Sequence, residues 1–376
     1  MKRKLILSLL LIFPGFGLLA QEMPSVSRFR DGIQHWRNEN PFPKGYQYDR
    51  YTEQEYVGIA DNLAAWQNED GGWPKNIDYL GKLDAVETRA LFNKGAKKNR
   101  LWSTLDNRNT YPQIEYLSRV YRLTGDKRYV ESAARGVEYI LNLQNESGGW
   151  RGWDVDAITF NDDVMVGTME MLQRISNDEP DFAWVDAKTR ERAEKAWRKG
   201  LETTLQCQVV IDGKKTIWGQ QHDHKTLAPC KARTYEFPSL CAGESTDVVR
   251  FLMAQPNPSP EIIDAIRSAI AWYETHGIAG LKLWKDPHAI PADQEDGLTG
   301  DRYAVIDPNS TEVWWARFYD LKKQEPFLSR RDGTIVYSLA EVNHERRLGY
   351  GWYTQEPTRL LKEWKKRERE FLKTKQ

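Results

Sequence analysis

The chain has 376 residues, enough for one large domain or two ordinary ones with a sizeable core. Lys plus Arg balance Asp plus Glu at 54 each, which argues against nucleic acid or a membrane surface as the main partner. The 15 Trp and 17 Tyr are many; most single Trp read as core, yet a flat ring with a polar edge also suits a sugar-binding cleft.

At the N-terminus, Lys2, Arg3 and Lys4 precede an apolar run from Leu5 to Phe13 and then the small residue Ala20. That is the pattern of a secretory signal, read here as residues 1–20. The run is too short to span a bilayer comfortably, and no later run is longer. The mature chain is therefore expected to be exported (periplasmic or secreted), soluble and monomeric, with residues 21–376 as a single domain. Residues 21–51 are polar and carry Pro41 and Pro43, which predicts an irregular N-terminal arm.

At Thr52 the pattern changes. Thr52 and Glu55 stand at capping-box spacing, followed by Tyr56, Ile59, Ala60, Leu63 and Trp66 on one helical face. The helix should stop at Gly71-Gly72. The same construction returns at "YILNLQNESGGWRGW": Gln67 to Gln144 is 77 residues, and so is Gly72 to Gly149. A looser third copy follows Gln208, with Trp218 in the tryptophan's place, and a fourth helix ends at Gly277 and Gly280. Further helices are predicted over 111–123, 164–175, 189–205 and 247–253, with a charged, solvated helix over 362–373. Helical hairpins that cannot bury their faces alone must stack. Closing them on themselves predicts a mainly α fold, an incomplete α/α toroid with irregular loops and a few short strands. Its loops would gather at one end. Cys207, Cys230 and Cys241 allow at most one disulfide and have no zinc spacing.

Four loop stretches are dense in polar groups. "GGWPKN" carries Lys75 and Asn76; "STLDNRNT" carries Asp106, Asn107 and Arg108; "ITFNDDVM" carries Asn161, Asp162 and Asp163. The fourth, "WGQQHDHKTLAPCKARTYEFPSLCAGES", carries His222, Lys231, Arg233 and Glu236. The aspartates could be helix N-caps. Apolar residues followed by carboxylate and amide also suit a hard cation that needs oxygen ligands from separate loops. His222 and His224 are a weak transition-metal signal. Arg233, with Arg317 and Arg331 downstream, suits planar anions. A net-neutral chain that collects Lys and Arg in its loops fits an acidic ligand.

Taken together, "WQNEDGGWPKN", "TLDN", "ITFNDD", "W-x-QQHD", "KARTYEFPSL-x-x-GES", "WARFYD" and "SRRDG" resemble the pectate lyases of polysaccharide lyase family 10, in the family's order and from about residue 50 to 355. The resemblance implies an α/α toroid and calcium-assisted anti β-elimination of polygalacturonate or its oligomers. It implies Arg233 as the base that takes the C5 proton. Lys75, Arg317 and Arg331 would bind substrate; Asn76, Arg108, His222 and Lys231 are counted with them from their loops. Asp106 and one of Asp162 and Asp163, with Asp163 slightly preferred, would bind calcium. A cluster of cations around Arg233 is expected to depress its pKa, as a guanidine base requires. Two departures stand out: Arg108-Asn109 replace small residues after "DN", and Cys241 stands where a small hydroxyl or glycine is commoner.

Three alternatives remain open from the residues alone. A glycoside hydrolase on the same architecture could use Asp106 and Asp163 as acid and base. A terpene cyclase shares the Gln-to-Gly-x-Trp repeat, although its D-x-D-D motif is missing here. A uronan-binding protein that has lost activity would fit Arg108.

Overall fold

The computed structural model describes residues 23–93, 98–295 and 297–373. The expected signal segment, residues 1–20, lies outside them.

Helices dominate: α1 (Arg30–Glu39), α2 (Tyr56–Trp66), α3 (Ala85–Asn93), α4 (Tyr111–Thr124), α5 (Lys127–Leu143), α6 (Val164–Ser176), α7 (Ala187–Gln206), α8 (Ala242–Ala254), α9 (Pro260–Thr275), α10 (His344–Gly349) and α11 (Glu356–Lys373). The chain enters α4 through Pro112 and leaves it at Gly125, which has φ +73°; Asp126 then caps α5 at once. So short a connection folds α5 back on α4, and α7 returns on α6. Contacts also run between alternate helices: α4 with α6 and α6 with α8, and likewise α5 with α7 and α7 with α9. The first set is buried almost all round; α6 buries Val164 through Met169 without interruption. The second set is amphipathic, and α7 buries only a stripe that includes Ala193, Trp197, Gly200 and Thr204. The result is two layers of helix.

One device repeats at three helix ends. The Gln67 amide donates to Gly71 O and to Ser132 O on α5, both at 2.8 Å. Gln144 does the same to Gly148 O and to Ala196 O on α7, also at 2.8 Å. Gln208 does it to Thr216 O and to Ala265 O on α9, at 2.9 Å. Each copy also sinks a tryptophan whose Nε1 donates to a carbonyl of the helix just ended: Trp73 to Leu63, Trp150 to Ile140 and Trp218 to Thr204. The glycines are required where the turn meets the next layer. A Cβ on Gly71 would lie 2.3 Å from Arg135 O, and Gly71 has φ +92°. The loose third copy is thus built like the other two.

The capping box at Thr52 and Glu55 forms as expected, although its first turn is 3-10 before α2 begins. Two expectations are corrected. The N-terminal arm is not irregular throughout: α1 lays Trp36 against Trp66 and Phe92, at ring distances of 6.5 and 6.0 Å. The last helix begins earlier, at Glu356, and packs on α8 and α9 through the buried Leu360 and Trp364 rather than standing in solvent.

From residue 278 to 354 the chain is mostly short strands. Leu240–Cys241, Phe318–Tyr319, Pro326–Ser329 and Ile335–Val336 make one antiparallel sheet. Ile278–Ala279, Val313–Ala316 and Tyr353–Thr354 make a second. Arg317 is the single residue between the two sheets on the chain. Its N–H donates to Trp352 O at 2.7 Å and its carbonyl accepts from Ala242 N at 3.0 Å. Cys207, Cys230 and Cys241 are free.

Candidate active site

The first-copy turn and residues 103–110 are laced together. Pro74 bridges Ser103, Thr104 N donates to Trp73 O at 3.1 Å, and the Asn109 amide donates to the carbonyls of both Trp73 and Thr104. This fixes Lys75 beside Asp106, and their side chains form a short ion pair, largely buried. Asn76 is buried; it donates to Glu39 and accepts from Asn107.

Residues 158–163 arrive from the second copy. Ile158–Thr159 pairs with Gln221–His222 of the third copy, Phe160 N donates to Gln220 O, and the Gln221 amide donates to Asn161 Oδ1 at 2.6 Å. Arg108 N donates to Asp162 O at 3.1 Å, which closes the two aspartate loops on each other. The Asp162 carboxyl lies in hydrogen-bond contact with that of Asp106; burial, and then the Asp106 charge, push it well above the usual carboxylate range. Asp163 faces elsewhere. It accepts from Tyr111 Oη at 2.8 Å and lies 3.9 Å from Arg108 Nε; burial raises its pKa while the Tyr111 bond opposes this.

Neither aspartate loop serves as a cap: the N-termini of α4 and α6 have no side-chain cap. Instead the backbone is strained. Of the eleven non-glycine residues with positive φ among those described, six are Asn76, Asn107, Arg108, Thr110, Asp162 and Asp163. Such conformations cost about 1–3 kcal/mol each and persist where the surroundings over-determine them.

Two arginines complete the centre. Arg317 gives both Nε and Nη2 to Gln220 Oε1, at 2.9 and 2.7 Å, pairs with Glu244 and lies 4.6 Å from the Tyr350 ring. Arg233 sits on the tight turn 232–236, pairs with Glu236 and lies between the rings of Tyr235 and Tyr350. Its Nε is buried without a hydrogen-bond partner, as is the Nε2 of Gln220. Asp154, 3.7 Å from that Nε, also feels Asp106 and Lys75, so it ties the arginine to the lysine–aspartate pair. A cavity of ≈ 710 Å³ opens from Asp162, Glu244 and Arg317 toward Arg108, Arg30 and Tyr353.

A family model for pectic acid lyases matches residues 67–361, which takes in every residue of this centre. The chain belongs to the pectic acid lyase family. Two solved structures of a family 10 polysaccharide lyase from Cellvibrio cellulosa resemble it, each at 26% identity. One covers 92% of this chain and 98% of its own, with a TM-score of 0.67. The other, an aspartate-to-alanine mutant in complex with trigalacturonic acid, covers 84% and 96%, with a TM-score of 0.66. No curated protein matches the chain. The protein is thus a pectate lyase of family 10, and the terpene cyclase alternative falls away. No helix among the described residues is long and apolar enough to cross a membrane.

The lyase brings Lys75, Asn76, Asp106, Arg108, Asp162, Arg233 and Arg317 into one region, with Asp163 turned toward its rim. Other expected residues stand apart. His222 is buried, donates through Nδ1 to Leu227 O at 2.8 Å and accepts from Gly219 N at 2.9 Å. Burial pushes it down to about 4, so it is a neutral structural imidazole with no nitrogen left for substrate or a transition metal. Lys231 is exposed and lies over the Phe237 ring. Arg331 pairs with Glu345 and covers the outer side of Tyr235. The expected depression of Arg233 is also reversed. Burial works against its charge, but the Glu236 carboxylate overrides burial and holds the guanidinium charged well above its ordinary value. Glu236 in turn is held down to about 2: burial opposes this, and Arg233 and Tyr350 outweigh it.

Sequence reading missed Gln220, Glu244 and Tyr350 as supports, and Trp153 and Asp154 as neighbours of the centre. The second-copy tail "WRGWD" carries none of the residues expected at the site. Yet a Cβ on Gly152 would lie 3.0 Å from Asp106 Oδ1, so the second copy reaches the centre too. Among the described residues no group of three or more His, Cys, Asp or Glu side chains is arranged to hold a metal; Asp106 and Asp162 are a pair.

Proposed function

We propose that this lyase cleaves polygalacturonate or its oligomers by calcium-assisted anti β-elimination on an incomplete α/α toroid formed by the two helical layers, after export from the cell. The observation that carries the reading is the Asp106–Asp162 pair flanked by Lys75 and Arg317. Burial and the neighbouring Asp106 charge disfavour the ionised form of Asp162, a cost that a hard cation between the two carboxyl groups would relieve. Substrate and water would complete its shell, since the chain offers only two carboxylates here. Asp106 and Asp162, rather than Asp163, would hold the calcium ion. When bound, it would supply charge that neutralises a uronate carboxylate and acidifies the adjacent C5–H.

Lys75 and Arg317 present cations to the same carboxylate, where negative charge grows as the C5 proton leaves. Arg233 Nε and Gln220 Nε2, buried and making no hydrogen bond, suit substrate oxygens. Arg233 removes the C5 proton. The C4–O bond breaks and a C4=C5 double bond forms, while the departing oxygen is protonated from water. The hydrolase alternative needs Asp106 and Asp163 to flank one glycosidic bond as acid and base, whereas Asp163 turns away to Tyr111 and Arg108. The deciding assay is polygalacturonate with and without a calcium chelator, followed by ultraviolet absorbance. A saturated reducing end without absorbance would sink the lyase chemistry. Arg233→Ala should retain substrate binding and lose turnover; near-normal turnover would remove Arg233 from the base role.

A further inference from the structure

We propose that Trp102 and Trp153 form a stacking platform for a galacturonate ring next to the one whose carboxylate meets Lys75. This rests on the polygalacturonate reading above and adds a subsite to it. Trp102 is 65% exposed, far more than the other tryptophans near the centre. A tryptophan in solvent leaves a large apolar face uncovered unless something lies on it.

The backbone on either side of Trp102 is pinned. The Asn68 amide donates to Leu101 O and to Ser103 Oγ, both at 2.8 Å; Ser103 Oγ donates to Asp70 at 2.6 Å, and Ser103 bridges Pro74. The ring is therefore presented from a rigid turn, and the residues that pin it belong to the same first-copy turn that carries Lys75. Trp153 sits 6.4 Å from it, ring to ring, with the planes tilted by 50°. The Lys75 ammonium lies 4.8 Å from the Trp153 ring centre. Trp153 is held next to Gly152, whose N–H donates to Thr159 Oγ1 at 3.0 Å.

Cation, ring and ring thus lead outward from Asp106. A galacturonate ring has one apolar face, made by its C3, C4 and C5 hydrogens, and a carboxylate at its edge. A ring lying on the platform would set the next carboxylate along the chain toward Lys75. A neutral ligand or a protein partner would have no use for the lysine at the platform's inner end.

The test compares wild type with Trp102→Ala, Trp153→Ala and Trp102→Phe. The readouts are steady-state kinetics on polygalacturonate and retardation in native gels that contain polygalacturonate. Each alanine variant should raise KM roughly three- to tenfold, the size of one lost aromatic contact, with kcat within about twofold. Retardation should weaken in parallel, and Trp102→Phe should restore most of both. Trp102 is at the surface, so Trp102→Ala should fold normally, which circular dichroism checks. Unchanged KM and retardation in Trp102→Ala would overturn the platform. If wild type makes no unsaturated product, the lyase chemistry fails, while the gel comparison still decides the platform. Normal retardation with lost kcat would also count against it.

Discussion

Replacing Asp162 by Asn should separate the two jobs of the acidic pair by sign. The substitution keeps shape and hydrogen bonding to Asn161, whose amide lies 2.7 Å from Asp162 Oδ2, but removes a charge that burial and Asp106 both disfavour. In the presence of a chelator the variant should therefore melt at or slightly above the wild-type temperature. Calcium should act the other way. At about 100 Kd a ligand that binds only the folded state adds about 2.7 kcal/mol. With roughly 2.1 cal/mol/K of unfolding entropy per residue, a chain of ~350 residues has ~0.75 kcal/mol/K, so wild type should gain about 4 °C. Asp162→Asn should lose most of that gain and most of its turnover. Differential scanning calorimetry with calcium and with chelator measures both terms. If the variant keeps the calcium-dependent rise, or if it is the less stable protein in chelator, the carboxyl pair is not the cation site.

Other expectations rest on the scaffold. His222 has a folded pKa of about 4 against an ordinary value of 6.5, so the unfolded chain binds its proton more readily. Its contribution is complete above about pH 6.5 and falls by up to roughly 3 kcal/mol as the pH drops toward 4. His222→Asn should flatten the fall in melting temperature between pH 6.5 and 4. Gly136 on α5 faces Ile114 and Trp73, and a Cβ there would lie 2.6 and 2.8 Å from their side chains. Gly136→Ala should destabilise by about 1–2 kcal/mol despite the helix gain of alanine, with unchanged activity per folded molecule, as urea melts and specific activity would record.

Much of this was legible in the sequence because it was periodic. Tyr56 to Trp66 and the 77-residue spacing announce a helix, its stop and its recurrence, and the Gln–Gly–Trp device explains why those residue types recur together. The strand region was not legible. Leu240–Cys241 finds its partner at Phe318–Tyr319, and two-residue strands paired across nearly eighty residues leave no local pattern. The terminal helix misled because its charged residues outnumber its buried apolar ones, although Leu360 and Trp364 stand four apart on one face. At the site, the sequence named residue types well and neighbours poorly. Asp162 and Asp163 are adjacent and chemically alike; only the left-handed backbone at both decides which one turns to Asp106 and which to Tyr111. His222 looked available because a loop with two histidines looks exposed, whereas a two-residue pairing with Ile158–Thr159 buries it.

Arg233 poses the sharpest chemical question. A guanidine base must first be neutral, and the free lyase does the opposite: Glu236, 2% exposed, pairs with the guanidinium and also accepts from Tyr350 Oη at 2.6 Å. Glu236 therefore orients Arg233 and opposes its deprotonation at the same time. Glu236→Gln keeps the acceptor oxygen for Arg233 and Tyr350 but removes the opposing charge, leaving burial to favour the neutral form. If Arg233 takes the C5 proton, the rising limb of kcat/KM against pH should move acidward in Glu236→Gln by about a unit or more, since each unit in pKa changes the neutral fraction tenfold. The variant should also lose about 1–3 kcal/mol of stability with its charge-assisted bonds. A limb that stays in place while KM rises would assign Arg233 to holding the uronate. The base would then have to be sought among the groups around Asp154, which lies 3.7 Å from that guanidinium's Nε.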